Sequence, residues 1–170
     1  MDNAFQIMKP SDLTDNVFKL IGQDWMLITS GTPDNFNMMT ASWGGMGVLW
    51  RKNVCFVVVR PIRYTYEFME KNDNFSLCFF SDEWKNALNI CGKKSGRDID
   101  KVKETGLKPF AGINNTIGFE QARLILECKK LYFHDLEPKQ FIDPTIENNY
   151  PNKDYHRMYV GEILSINIKK

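Results

Sequence analysis

The feature that most constrains the fold is a rhythm of short apolar runs that nowhere alternates with full-length helices. Residues 25–29, 54–59, 75–80, 123–133 and 158–168 are rich in the β-branched and aromatic residues that suit strands. Turn-forming clusters separate them, such as Gly31, Thr32, Pro33, Asp34 and Asn35. Residues 37–50 read as one further extended segment, weakened or bulged by Gly44, Gly45 and Gly47. The run 54–59 reads as a strand buried on both faces, ended by Pro61, which has no N–H to donate. The helices are short. Thr14 or Asp15 caps one through Val17 and Ile21 to Gly22; Thr65 caps residues 66–71; Ser81 caps one through Leu88 and Cys91, stopped by Gly92; and residues 98–105 end at Gly106. Residues 138–154 read as a long surface loop. Without a βαβ rhythm a doubly wound parallel sheet is disfavoured. The expected fold is mainly β, an antiparallel barrel with a few inserted helices, formed as one domain over residues 1–170.

Composition narrows the function classes. A formal net charge of +1 gives no general attraction to nucleic acid or to an anionic membrane, so any anion selectivity must be local. No apolar run approaches the roughly 20 residues that cross a bilayer. The N-terminus lacks the basic and then apolar regions of a secretory signal. Cys55, Cys78, Cys91 and Cys128 form no CxxC pair and have no histidine at metal-ligand spacing, so buried reduced thiols and no metal site are expected. These readings together point to a cytoplasmic protein.

Several motifs fail on context. Gly44, Gly45 and Gly47 precede no helix, so they form no dinucleotide-binding loop. Gly92-Lys93-Lys94-Ser95-Gly96 lacks the upstream glycine of a P-loop, and no GxSxG elbow supports a catalytic triad. Two strand ends carry more. Asn37, Met39, Thr40, Ala41, Ser42 and Trp43 place small and hydroxylic side chains beside an indole. Roughly twenty residues later, Arg60, Pro61, Ile62, Arg63, Tyr64 and Thr65 put two guanidinium groups at a helix start, where free N–H groups favour an anion. Such a pair suits a ligand with a flat apolar end and a phosphate end. Ser95, Gly96, Arg97, Asp98 and Lys101 form a similar helix-opening cluster. His156 introduces the last strand at the barrel rim, and His134 reads as structural.

The stretches NMMTASWGGMG, VVVRPIRYTYEFMEKNDNFSL, CGKKSGRDIDKVKETGL, ARLILECKKLY and DYHRMYVGEI, in that order, resemble the flavin reductase-like domain family, which includes flavoredoxin. The resemblance extends from about Asp24 to Lys170 and is weaker over residues 113–119 and 138–152. It implies a six-stranded antiparallel FMN-binding split barrel and a homodimer with flavin near the subunit interface. It further implies that Asn37, Met39, Thr40, Ala41, Ser42 and Trp43 border the flavin ring. Arg60, Arg63, Tyr64 and Thr65 would approach the phosphate and ribityl chain, and Ser95, Gly96, Arg97, Asp98 and Lys101 would lie near the flavin. His156 would stand on the nicotinamide or substrate side, as the catalytic candidate. The implied activity is an NADH- or NADPH-dependent flavin reductase passing electrons to a flavin or other small acceptor. The alternatives are a flavoredoxin-like carrier fed by a redox partner protein and a barrel that has lost its flavin.

Overall fold

The computed structural model describes residues 4–170. The strands are β1 (Phe5–Met8), β2 (Met26–Thr32), β3 (Asn35–Ala41), β4 (Gly44–Leu49), β5 (Lys52–Val59), β6 (Asn74–Phe79), β7 (Pro109–Ala111), β8 (Ile117–Phe119), β9 (Leu124–Asp135) and β10 (Arg157–Lys169). The helices are α1 (Val17–Lys19), continued by a π-turn at Leu20–Asp24, then α2 (Tyr64–Lys71), α3 (Lys85–Lys93) and α4 (Lys101–Thr105). One antiparallel sheet runs β3-β2-β6-β9-β10-β5-β4, with β1 added to the far end of β10, and β7 and β8 form a separate hairpin.

Connectivity makes this sheet a barrel. Its two outermost strands, β3 and β4, are consecutive in sequence and are joined only through Ser42 and Trp43. A link that short spans at most about 11 Å between the flanking Cα atoms. The sheet must therefore curl until its edges nearly meet, and no pairing joins them among the described residues. The barrel is split at Ser42–Trp43. The main sheet has eight strands where the resemblance implied six. The extra strands are β1, which pairs with the end of β10, and β4, which emerges because the segment 37–50 breaks at Ser42 instead of running on.

Two apolar cores explain the unbroken hydrophobic runs. Met26, Ile28, Phe75, Leu77, Phe79, Leu124, Leu126 and Tyr159 fill the barrel. Leu27, Cys78, Phe80 and Ile125, on the opposite face of the same strands, pack beneath α3 and the β7–β8 hairpin with Leu88, Ile117 and Phe119. Strands β2, β6 and β9 are thus sandwiched, and both of their side-chain sets must be apolar. Strand β5 is buried on both faces except at Phe56: Cys55, Val57 and Val59 enter the barrel, Val54 and Val58 are buried on the other face, and Phe56 between them is 40% exposed. At Gly161 a Cβ would stand 2.6 Å from Phe75 Cζ, so only glycine lets that ring close the barrel there. All four cysteines are free and buried.

Helix starts fall at other residues than the sequence suggested. Asn16, not Thr14 or Asp15, caps α1 by accepting from the Lys19 N–H. Arg63 is the N-cap residue of α2, and Thr65 lies one step inside the first turn. A 3-10 turn at Asp82–Trp84 separates Ser81 from α3, which runs through Gly92 to Lys93. Asp100 caps α4, and Gly106 closes it in the left-handed conformation. The loop 138–154 contains 3-10 turns at Pro138–Gln140 and Pro144–Asn149.

Candidate functional site

The split in the barrel opens a groove of about 210 Å³ lined by Met39, Thr40, Ala41, Ser42, Trp43, Val58, Arg60, Arg63 and His156. The two strand ends singled out in the sequence therefore meet, and the rim histidine meets them. Barrel closure achieves this: Ala41 ends β3, Val59 ends β5, and Arg157, directly after His156, pairs with Val59 at the start of β10. Trp43 is 45% exposed, with its ring 5.2 Å from that of His156. The indole is a wall of the groove and not a core residue.

A smaller cavity of about 90 Å³ adjoins the groove through Arg63 and is lined by Asn37, Ile62, Tyr64, Thr65, Lys93, Lys94, Ser95 and Lys101. Arg63, Lys93, Lys94 and Lys101 supply positive charge, and no carboxylate lines it. The Tyr64 and Thr65 N–H groups, at the start of α2, donate to no protein acceptor among the described residues. Thr65 is wholly buried, so its orphan N–H has no access to bulk water and needs a partner within the cavity. An anion answers both the charge and the free donors.

Side chains of the site are held by the carbonyls of α3. Thr40 Oγ1 donates to the Leu88 carbonyl at 2.5 Å. Arg63 donates to the carbonyls of Gly92 and Cys91 at 2.7 and 3.3 Å. Lys101, which is 5% exposed, donates to Met38 and Cys91 carbonyls at 2.7 and 3.1 Å. Burial lowers the Lys101 amine to about 8, with the nearby Arg63 cation acting in the same direction. Arg63 and Lys101, from the β5–α2 link and α4, thus engage carbonyls that the end of α3 leaves free, and Thr40 of β3 joins the helix one turn earlier. Asn37 Nδ2 donates to Thr65 Oγ1 at 2.7 Å, which ties the buried Thr65 hydroxyl to β3.

Arg60 turns the other way. It makes both of its Nη1 contacts with Asp154 at 2.8 Å and donates from Nη2 to the Asn149 carbonyl. It belongs to the rim around His156 more than to the anion cavity. Ser95 lines the anion cavity, whereas Gly96 lies against Asn37 and Tyr64, where any Cβ would fall well inside contact distance of Asn37 Oδ1. Arg97 lies over the Tyr64 ring at 4.6 Å and pairs with Glu67, and Asp98 is exposed. Among the described residues no cluster suitable for a metal occurs, and no helix is long and apolar enough to cross a membrane.

The rim includes residues that the sequence did not single out. Tyr150 and Asp154 come from the loop 138–154, and their only sequence signal was proximity to His156. Lys93 and Lys94 sat in the rejected phosphate-loop motif; no P-loop forms, yet both line the anion cavity. Tyr150 OH lies 2.9 Å from His156 Nδ1. Burial, aided by the Arg60 cation and opposed by Asp154, lowers His156 from its ordinary 6.5 to about 4. The unfolded chain therefore takes up this proton first as pH falls. The contribution is complete above pH 6.5 and is lost progressively towards pH 4, amounting to about 3 kcal/mol. Urea unfolding from pH 7 to 4.5 is expected to show His156→Gln losing less stability than the parent. Parallel curves for the two proteins would refute this account of His156.

Comparison with known proteins gives a consistent picture. The family model of the flavin reductase-like domain matches residues 18–170. No curated protein matches the chain. Among solved structures, the FMN-binding domain of a flavin reductases-like enzyme from Shewanella baltica is 16% identical with a TM-score of 0.71, over 99% of this chain and 79% of that one. Flavoredoxin from Methanosarcina acetivorans is 24% identical with a TM-score of 0.65, over 91% of this chain and 73% of that one. The NADH:FAD oxidoreductase of Streptomyces globisporus is 14% identical with a TM-score of 0.62, over 84% and 74%. The shared fold is the antiparallel split barrel.

Proposed function

This chain belongs to the flavin reductase-like domain family, and from that premise we propose that it is an FMN-dependent oxidoreductase that uses NADH or NADPH to reduce a flavin or another small acceptor. One observation carries the reading. The groove at the barrel split continues past Arg63 into a carboxylate-free cavity with three lysines and two free helix N–H groups. A groove walled by an indole and small side chains, joined to an anion cavity, matches the two ends of FMN, and the orphan Thr65 N–H fits its phosphate.

Met39, Thr40, Ala41, Ser42 and Trp43 would hold the ring, and Arg63, Tyr64, Thr65, Lys93, Lys94 and Ser95 the phosphate end. FMN, when bound, supplies the capacity to accept hydride and release electrons. The chain's own task is positioning. The small side chains from Thr40 to Ser42 allow backbone groups close approach to a ring edge, and Trp43 and His156 bound the side on which a second flat molecule enters. Assembly is proposed to be homodimeric, through the unpaired face bearing Trp50, Phe56 and Tyr132, each at least 40% exposed.

The structural likeness to flavoredoxin supports a second reading, an FMN electron carrier served by a redox partner protein. Anaerobic mixing separates the two. The purified protein is expected to be yellow, to release FMN on denaturation, and to bleach with NADH or NADPH. Bleaching by neither nucleotide would replace the reductase reading with the carrier, and colourless protein that takes up no added FMN would sink both.

A further inference from the structure

Tyr150 is 3% exposed, and its hydroxyl has a single partner among the described residues, His156 Nδ1 at 2.9 Å. Its ring is fixed by Tyr155 at 4.9 Å, Phe141 at 6.0 Å and the Arg60 guanidinium at 5.1 Å. The hydrogen bond can run in either direction, and the two directions differ in cost. If Nδ1 carried the proton, the phenolic O–H would be a buried donor with no acceptor. If the phenol donates, only a spare oxygen lone pair is unused, which costs less. The imidazole proton then resides on Nε2, which has no partner among the described residues, on a ring that lines the groove. The charged and titratable groups packed around the ring are Arg60, Asp154 and Tyr150; Arg60 and Asp154 neutralise each other in a bidentate pair, leaving no carboxylate free to hold an imidazolium.

Resting on the flavin reading above, we propose that Tyr150 is a positioning residue that fixes His156 as the neutral Nε2–H tautomer, so that the groove selects its second occupant by donating a hydrogen bond to a carbonyl oxygen. The class of molecule this favours is a small planar ring bearing a carboxamide, aldehyde or ketone. His156 serves as a donor that orients the ring, with no proton leaving it.

Two measurements test this. The chain has only two histidines, so side-chain nitrogen NMR resolves His156 from His134. The parent is expected to show the Nε2–H tautomer at pH 7, and Tyr150→Phe, which keeps the ring and its packing, to shift it towards a mixture. In FMN-loaded protein, perturbation of the flavin spectrum reads the binding of nicotinamide against pyridine, which lacks the carbonyl. The preference for nicotinamide is expected to fall roughly three- to tenfold in Tyr150→Phe and His156→Phe, and to be retained in His156→Gln, which keeps an N–H donor. An Nδ1–H tautomer in the parent, or an unchanged preference in Tyr150→Phe, would overturn the proposal. Failure to bind FMN would overturn the flavin reading alone, because the tautomer measured on that same protein still decides the Tyr150 assignment.

Discussion

Replacing Arg63 by alanine is expected to weaken FMN binding ten- to a hundredfold, the loss of roughly 1.5–3 kcal/mol that follows removal of a charge-assisted partner. Arg63 is the residue of the Arg60–Thr65 cluster that lines both the ring groove and the anion cavity. It also holds the end of α3 through the Cys91 and Gly92 carbonyls, so its loss removes charge and loosens a wall together. Its neighbours should separate cleanly from it. Arg60 is bound to Asp154 and Asn149, so Arg60→Ala should disturb the His156 rim and change FMN affinity less. The Thr65 hydroxyl is buried against Asn37, so Thr65→Ala should cost stability while its backbone N–H stays in place. Fluorescence titration of FMN against the three variants checks the order. Equal affinities for Arg63→Ala and the parent would place the phosphate elsewhere.

Much of this order was visible in the chain before folding, because it depends on local pattern. Residues 54–59 and 75–80 are apolar enough to be strands under any packing, and Pro61 marks where the first must stop. The pairing of residues 37–43 with Arg60–Thr65 was visible in their residue types, whereas His156 joined them only through the family resemblance; barrel closure brings all three together. The break at Ser42–Trp43 was less legible. Three nearby glycines suggested a bulge within one strand, whereas closure of the sheet turns that point into the gap between its edges. Tyr150, Asp154 and Lys101 show the harder limit. A tyrosine and an aspartate in a polar loop read as solvated, and Lys101, which the resemblance placed near the flavin, gave no sign of the carbonyls it holds. Their roles depend on which buried acceptors the fold leaves open, namely His156 Nδ1, the Arg60 fork, and the carbonyls at the end of α3.

Lys101 carries the other large expected effect. Its amine donates to the Met38 carbonyl on the outer strand β3 and to the Cys91 carbonyl near the end of α3. Nothing else among the described side chains reaches Met38 O, whereas Cys91 O keeps a longer contact with Arg63. Lys101→Met preserves most of the apolar stem and removes the donors, so it is expected to cost about 1–3 kcal/mol of stability from the orphaned carbonyl. Lys101→Ala adds a cavity between α3, α4 and β3 and is expected to cost about 2–5 kcal/mol. The damage should reach the ligand site, because Met38 directly precedes the ring-lining run from Met39 to Trp43, and Cys91 O is shared with Arg63. Chemical denaturation of both variants, read beside FMN titration, therefore tests one chain of cause. Stability and FMN affinity should fall together, with Lys101→Met the milder of the two. Loss of affinity at full stability would instead make Lys101 a direct ligand, and full retention of both would show that the end of α3 does not depend on this amine.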